Sequence, residues 1–399
     1  MKTAIVGGGA SGLTAAIAAA ELGSNVTIYE RNDRVGRKIL STGNGRCNMT
    51  NINADISNYY GKNPKFVMGA ISRFWVDETL EFFNDLGVLH KVEDAGKVYP
   101  YSDQASAVLD VLRMKAEELH VAVRTKSEVK RVSKNKNGFI VETYSGEKEF
   151  FDKVIVASGG KAAPDLGSNG SGYDILKSFG HKITEVRPSL VQLKTEPDTV
   201  KKLKGIKIQG TVNLGGFVEK GEILFTDYGL SGPPIFSVSS RFNNQKSIYV
   251  DMMPDYSESQ LNAMLSERVC RFPKVALENF FVGILNKRVG QALLKYLKIE
   301  PLSRYAVTLR KEDIDKIAKT IKAWEFKVTG TMSWNNAQVT KGGADTSQFN
   351  PNTMESRLVK GLYAAGEVLD IDGDCGGYNL QWAWSSGMLA GKNAGQEGE

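Results

Sequence analysis

The strongest constraint on this chain sits at its start. Gly7-x-Gly9-x-x-Gly12 joins a short apolar run, residues 3–6, to an alanine-rich stretch, residues 13–22. The run reads as a buried strand, the stretch as a helix, and residues 26–30 as a second strand, so a βαβ unit is complete in about 30 residues. Each glycine has its own duty. Gly7 permits a tight turn, Gly9 lets backbone N–H groups approach a pyrophosphate, and Gly12 lets helix and strand pack closely. The helix N-terminus, with Ala10 and Ser11 in its first turn, favours the anion. Glu30, 18 residues beyond Gly12, is placed to accept hydrogen bonds from ribose hydroxyls. The unit binds a dinucleotide, and NAD and FAD share this grip.

Later segments decide between them. Val154-Ile-Val-Ala-Ser158-Gly159-Gly160 is a buried strand ending in small residues that can pass beneath an extended ligand. Gly361-Leu-Tyr-Ala-Ala-Gly366-Glu367 is another, and an acid at its end suits a ribitol chain, which nicotinamide cofactors lack. A final helix follows Gly376-Gly377-Tyr378-Asn379. Its N-terminus, with Gly377, Asn379 and Leu380, is expected at the flavin N1/O2 edge, where reduction deposits negative charge. FAD is therefore the expected cofactor, and Val129 joins its expected contacts. Arg31, Arg37 and Lys38 supply positive charge for pyrophosphate or reduced flavin, and Arg46 or Asn48 borders the ring. Tyr378, Trp382 and Trp384 offer an aromatic wall for a substrate, with Asn48 and, from an inserted region, Tyr228 beside it. Gly167-Ser-Asn-Gly170-Ser-Gly172 lacks the GxGxxG spacing and reads as a loop near the FAD.

Composition bears on the rest. Of 41 glycines, 19 fall in four segments totalling 61 residues (7–12, 36–45, 159–172 and 361–391), where backbone must approach one extended ligand. Three cysteines without a CxxC and three scattered histidines leave no metal site and no disulfide scaffold, and no sequence motif marks Cys47 or Cys375 as a redox thiol. No run approaches 18 apolar residues, so no membrane span is expected, and the chain reads as cytoplasmic. Net charge is +6, of which residues 255–331 hold +5, with 14 Lys and Arg against nine Asp and Glu. That interleaving reads as solvated amphipathic helices, so no nucleic acid partner is expected.

Patterning divides the chain. Residues 1–187 form the first part of an FAD-binding domain, residues 188–254 and 324–345 a β-rich insertion, residues 255–323 a helical subdomain, and residues 346–399 the second part of the FAD domain. The fold class is α/β, a Rossmann-like domain of the two-dinucleotide-fold flavoprotein type interrupted by a β-barrel-like domain that carries a helical insertion.

Four motifs make the sequence resemble one family. They are Gly36-Arg-Lys-Ile-Leu-Ser-Thr-Gly43-Asn-Gly-Arg46-Cys-Asn48-Met-Thr-Asn51, Gly221-Glu-Ile-Leu-Phe225-Thr-Asp-Tyr228-Gly-Leu-Ser231-Gly-Pro, Thr353-Met-Glu-Ser, and Gly376-Gly-Tyr-Asn-Leu-Gln381. The chain resembles the aminoacetone-oxidase-like group of NAD(P)/FAD-dependent oxidoreductases, which includes bile-acid ene-reductases, from residue 2 to about 391. The resemblance implies an FAD-dependent oxidase of a small primary amine, turning aminoacetone into methylglyoxal and ammonia while oxygen becomes hydrogen peroxide. The flavin itself carries the chemistry. No side chain stands out as catalytic. The alternatives are an NAD(P)H-dependent reductase of a conjugated or carbonyl substrate and, from another class, a flavoprotein that binds RNA through the basic insert.

Overall fold

The computed structural model describes residues 1–396. Two compact units divide the chain, one built from Met1–Ser189 together with the chain from Trp334 onward, the other from Leu190–Ser333. No helix among the described residues is long and apolar enough to cross a membrane.

The first unit holds a five-stranded parallel sheet in the order Leu362–Ala364, Lys153–Val156, Lys2–Val6, Asn25–Tyr29, Ala122–Arg124. All five strands are short, and the inner ones are mainly apolar and buried beyond their first residue because both of their faces are covered. Chain order runs outward in both directions from Lys2–Val6, so the topological switch point, where ligands bind such sheets, falls at its carboxyl end. A three-stranded antiparallel meander, Val129–Lys134, Phe139–Thr143 and Lys148–Phe151, fills the connection between Ala122–Arg124 and Lys153–Val156.

Against this sheet lie two helices, Ala10–Glu21 and Tyr378–Gly395. They run parallel and touch backbone to backbone. A Cβ at Gly387 would meet the Ser11 carbonyl, one at Gly391 the Ala15 carbonyl, and one at Gly395 the Ala19 main chain. Both series step by four residues, which puts each on a single helical face. The alanine-rich composition of the first helix is thus a packing requirement as well as a helix preference.

Residues 334–345, expected with the β-rich insertion, lie in the first unit. Val339–Lys341 pairs there with Arg187–Ser189. The Thr353-Met-Glu-Ser motif closes a loop in this unit. Glu355 Oε1 accepts from Gly361 N at 2.7 Å, and Ser356 Oγ accepts from the amides of Leu358 and Val359. Ser356 Oγ also lies 2.9 Å from Nε2 of His181, whose ring stacks on Phe349 at 4.5 Å between centroids.

The second unit is a closed six-stranded antiparallel barrel in the order Leu193–Thr195, Gly229–Ser231, Phe217–Phe225, Lys207–Leu214, Ser247–Asp251, Trp324–Thr331. Val212, Leu214, Ile223, Phe225, Ile248, Val250 and Trp324 are buried in its core. Three longer helices, Glu258–Arg271, Lys287–Tyr296 and Lys311–Lys322, connect its fifth and sixth strands. Ile314, Ile317, Ala318 and Ile321 give the last of these one apolar face, and Leu261 and Leu265 do the same for the first.

Two predictions follow from this packing. Gly391→Val would drive two branches into the Ala15 main chain, lowering stability by about 1–3 kcal/mol and loosening any ligand held at the helix N-termini. Urea unfolding checks it, and wild-type stability in the variant would show that the helices do not meet through backbone. Burial lowers the His181 pKa from 6.5 to about 4. Between those values the unfolded chain binds the extra proton, so this contribution is complete above about pH 6.5 and lost as pH falls toward 4, up to about 3 kcal/mol. Urea midpoints between pH 7 and pH 4.5 should fall less steeply in His181→Gln, and equal slopes would refute the assignment.

Candidate functional site

The site is built on the switch point. Gly7 has φ +105°, and a Cβ there would stand 2.6 Å from the Ala157 carbonyl oxygen, so only glycine lets the turn press against the neighbouring strand end. At Gly12 a Cβ would collide with the Gly7 carbonyl. Gly9 differs from both. A Cβ built on it meets no atom within 4 Å. Open space therefore lies over Gly9, at the N-terminus of the first helix, beside the amides that a helix leaves without internal partners. This is the form of a pyrophosphate cradle.

Glu30 is buried at the end of its strand. One carboxylate oxygen accepts from Gly8 N at 3.0 Å, and the other from Asn32 N and Nδ2, both at 2.8 Å. A carboxylate offers about four lone-pair sites, so capacity remains for a ribose hydroxyl. Ser11 donates to the Ala365 carbonyl at 3.4 Å, and Ala10 is half-buried beside it. Gly366, at φ +76°, sits so close that a Cβ would meet Ser11 Oγ at 2.5 Å. Its amide donates to Ser386 Oγ and its carbonyl accepts from Trp382 Nε1. Ser158 Oγ is buried and finds no hydrogen-bond partner among the described residues. Gly159 and Gly160 follow it, and a Cβ at Gly160 would strike Thr340 Oγ1.

The final helix begins at Tyr378, after Gly376 and Gly377, both at positive φ. The register Ser11–Gly387, Ala15–Gly391 puts Ala10 level with residue 386, eight residues beyond Tyr378. At about 1.5 Å per residue, the two helix N-termini stand about 12 Å apart along the shared axis direction. One extended ligand with charge at two separate places fits that spacing. Asn379 holds the entry loop, accepting from Gly373 N and donating to the carbonyls of Gly373 and Asp374. Leu380 is half-buried.

Several expected contacts prove to be tied to protein partners. Lys38 Nζ pairs with Glu367 Oε2 at 2.7 Å, and Glu367 Oε1 takes the Thr340 amide. The structure thus brings the expected phosphate cation and the expected ribitol acid to each other. Arg37 donates to Asn32 Oδ1, and Arg31 reaches the Gly167 carbonyl and Glu128. Arg46 stacks 4.0 Å above the Tyr99 ring and pairs with Glu93 and Asp103. Val129 is buried and paired with Thr143 in the meander.

Among the aromatic candidates, Trp382 and Trp384 require correction. Both are fully enclosed, with indole N–H groups bound to the carbonyls of Gly366 and Met49, so neither lines a substrate space. Tyr378 is nearly buried, its ring edge-on to Tyr59. Tyr228 lies in the second unit, where its carbonyl accepts from Thr195 N. Cys47 is buried, and burial pushes its thiol up to about 12, which rules out a thiolate at neutral pH. Asn48, at 8% exposure, keeps a buried Oδ1 with no partner among the described residues. Such orphans are rare in folded proteins and mark places where a ligand completes the bonding.

Thr340 escaped the sequence reading, and Gln381, which closes one of the four motifs, was given no role there. Thr340 Oγ1 accepts from the amides of Lys161 and Ala162, fixing the loop after Gly160. Nothing local could have signalled it, because its partners lie 178 and 179 residues away. Gln381 is fully buried. It accepts from Thr50 Oγ1 at 2.6 Å and donates to Thr79 Oγ1 at 2.8 Å, welding the final helix to neighbouring segments. A glutamine among buried tryptophans was its available signal.

Comparison with known proteins agrees with this geometry. Residues 1–393 match a family model described as HI0933-like protein Rossmann domain. The 3-dehydro-bile acid Δ(4,6)-reductase of Clostridium scindens is 38% identical over 408 residues, covering 99% of both chains. A ribosomal RNA dihydrouridine synthase of Escherichia coli is 32% identical, covering 96% of this chain and 95% of that one. The solved 3-ketosteroid-Δ4-(5α)-dehydrogenase of Rhodococcus jostii RHA1 shares the fold, with a TM-score of 0.50 at 16% identity over 99% of this chain and 96% of that one. Neither sequence relative is named for an amine. The cofactor is FAD.

Gly9→Val tests the cradle. Its backbone angles are ordinary and no protein atom opposes the new side chain, so stability without FAD should change by no more than about 0.5 kcal/mol. FAD affinity, measured by quenching of flavin fluorescence, should drop at least about tenfold, roughly 1.4 kcal/mol. Gly12→Ala should instead destabilise the fold itself. Undiminished FAD binding by Gly9→Val would place the pyrophosphate elsewhere.

Proposed function

The chain belongs to the HI0933-like family of FAD-dependent oxidoreductases, and from that premise we propose that it reduces a carbon–carbon double bond conjugated to a carbonyl. One observation carries the reading. Two relatives, each matched over 95% or more of its length, are named for saturation of such a bond. In a 3-dehydro-bile acid the Δ4 and Δ6 bonds extend from the C3 carbonyl. In uridine the C5–C6 bond adjoins the C4 carbonyl. In both, the β-carbon accepts a hydride and the α-carbon a proton.

Bound FAD would supply the two-electron carrier between a nicotinamide donor and the conjugated acceptor. The chain's own part is binding and electrostatics. The first turns after Gly9 and Gly377 offer N–H groups to negative charge at two places, and Glu30 keeps acceptor capacity for a ribose hydroxyl. Asn48 and Ser158 keep buried polar atoms for cofactor or substrate. The Lys38–Glu367 pair and Thr340 hold the strand-end loops in place around them.

Amine oxidation with oxygen as acceptor, the expectation carried by the resemblance, runs electrons into the flavin from the substrate instead of out to it. One anaerobic experiment separates the directions. NADH or NADPH should bleach the visible flavin absorbance, and an α,β-unsaturated ketone or a uridine-containing RNA should restore it stoichiometrically with a saturated product. Bleaching by amines with peroxide release in air, and no reoxidation by any conjugated acceptor, would overturn the proposal.

A further inference from the structure

The basic insert of the second unit carries a locally basic pair of segments that the fold joins. Residues 272–277 run antiparallel beside residues 304–307, joined by hydrogen bonds from Leu277 N to Arg304 O, Ala306 N to Val275 O and Val307 N to Pro273 O. The register sets Tyr305 opposite Ala276 and Val307 beside Pro273, so Arg271, Phe272 and Lys274 lie along one end of the pairing and Arg304 and Tyr305 at the other. Arg268 extends the face, donating to the carbonyls of Phe280 at 2.6 Å and Val282 at 2.7 Å. Residues 268–282 and 302–311 together hold six cations, Arg268, Arg271, Lys274, Arg304, Arg310 and Lys311, against the single acid Glu278. Glu267, one turn before Arg271, and Glu312 and Asp313, directly after Lys311, border them.

Large apolar side chains stand open among these cations. Phe272 is 41% exposed, Val282 51%, Tyr305 54% and Val307 60%. The guanidinium groups of Arg268 and Arg271 lie 5.3 and 5.7 Å from the centre of the Phe272 ring. Exposed rings interleaved with fixed guanidinium groups combine two capacities. A flat ring stacks on any nucleobase, and the cations beside it neutralise the phosphates that follow along the strand. A steroid offers neither a repeating anion nor a flat aromatic face, so this surface does not match it.

We propose that this aromatic and basic face of the helical insert docks single-stranded or looped RNA. The proposal deepens the conjugated-bond reading and rests on it for its purpose: the reducible bond would be that of a uracil base carried by the docked strand. It reverses the expectation of no nucleic acid partner, which averaged charge over the whole insert.

Fluorescence anisotropy of a labelled uridine-rich RNA hairpin with the FAD-loaded full chain tests it directly. Binding should weaken steeply between about 50 and 200 mM salt. Phe272→Ala with Tyr305→Ala should weaken binding about tenfold or more at fixed salt while leaving the salt slope in place. Arg271→Gln, Lys274→Gln and Arg304→Gln together should reduce the slope of log K against log salt by about 2 to 3. All five side chains lie in the second unit, so a far-ultraviolet circular dichroism spectrum and urea midpoint equal to wild type confirm that each variant is folded. RNA affinity equal to wild type in both variants, or no binding by wild type at about 50 mM salt, would overturn the docking face. Turnover of a free enone without RNA binding would leave the reductase reading standing and remove only this proposal. RNA binding at this face without flavin reoxidation by any conjugated acceptor would do the reverse.

Discussion

The contact between two parallel helices governs the flavin-binding unit. Gly387, Gly391 and Gly395 face Ser11, Ala15 and Ala19 with no side chain between them, so the axial register is fixed by backbone. Interlocked main chains do not slide by fractions of a turn as long apolar side chains can. That register places one N-terminus at Ala10 and the other about 12 Å beyond it, at Tyr378. Two partial positive charges at a set separation suit a ligand that is anionic at its pyrophosphate and becomes anionic at its ring on reduction. Gly366 is wedged at the same junction, with its amide and carbonyl bound to Ser386 and Trp382 of the final helix. The late glycine-acid motif is thus held by the helix pair as well as by its own strand.

This explains which parts of the site could be read in advance. Gly7, Gly9, Gly12 and Glu30 were legible because a backbone that must turn, open and pack within six residues admits few sequences. The parallel sheet was legible because strands covered on both faces need continuous apolar runs. Side-chain partnerships were not. Lys38 and Glu367 lie 329 residues apart, and no periodicity links them. Each was given a ligand atom as its partner, whereas folding supplied a nearer partner in the protein. Arg46 follows the same logic, since Tyr99, Glu93 and Asp103 reach it from a separate strand and loop.

The tryptophans show the complementary error. An aromatic at the start of a helix that approaches a cofactor looks like a wall, and nothing in the local pattern distinguishes wall from core. What distinguishes them is the destination of the indole N–H. Trp382 and Trp384 both donate to main-chain carbonyls of neighbouring loops, so their rings act as struts for the segments around Gly366 and Met49. Asn48 presents the opposite case, a small polar side chain that the fold buries without satisfying. Burying an acceptor unpaired costs about 1–3 kcal/mol, and a ligand that donates to it recovers that loss on binding.

Charge makes the last distinction. Along residues 255–331 the ratio of 14 cations to nine acids describes an ordinary solvated insert. Pairing of residues 272–277 with 304–307 brings Phe272, Lys274, Tyr305 and Val307 onto one short two-stranded segment. Like charges gathered around exposed rings raise the free energy of the isolated protein, through repulsion and through apolar surface left in water. A polyanion with flat faces removes both costs at once, whereas a small neutral substrate removes neither. The flavin-binding unit is defined by backbone contacts that position a cofactor. The substrate is therefore better sought where the chain tolerates unfavourable surface than where it binds the cofactor.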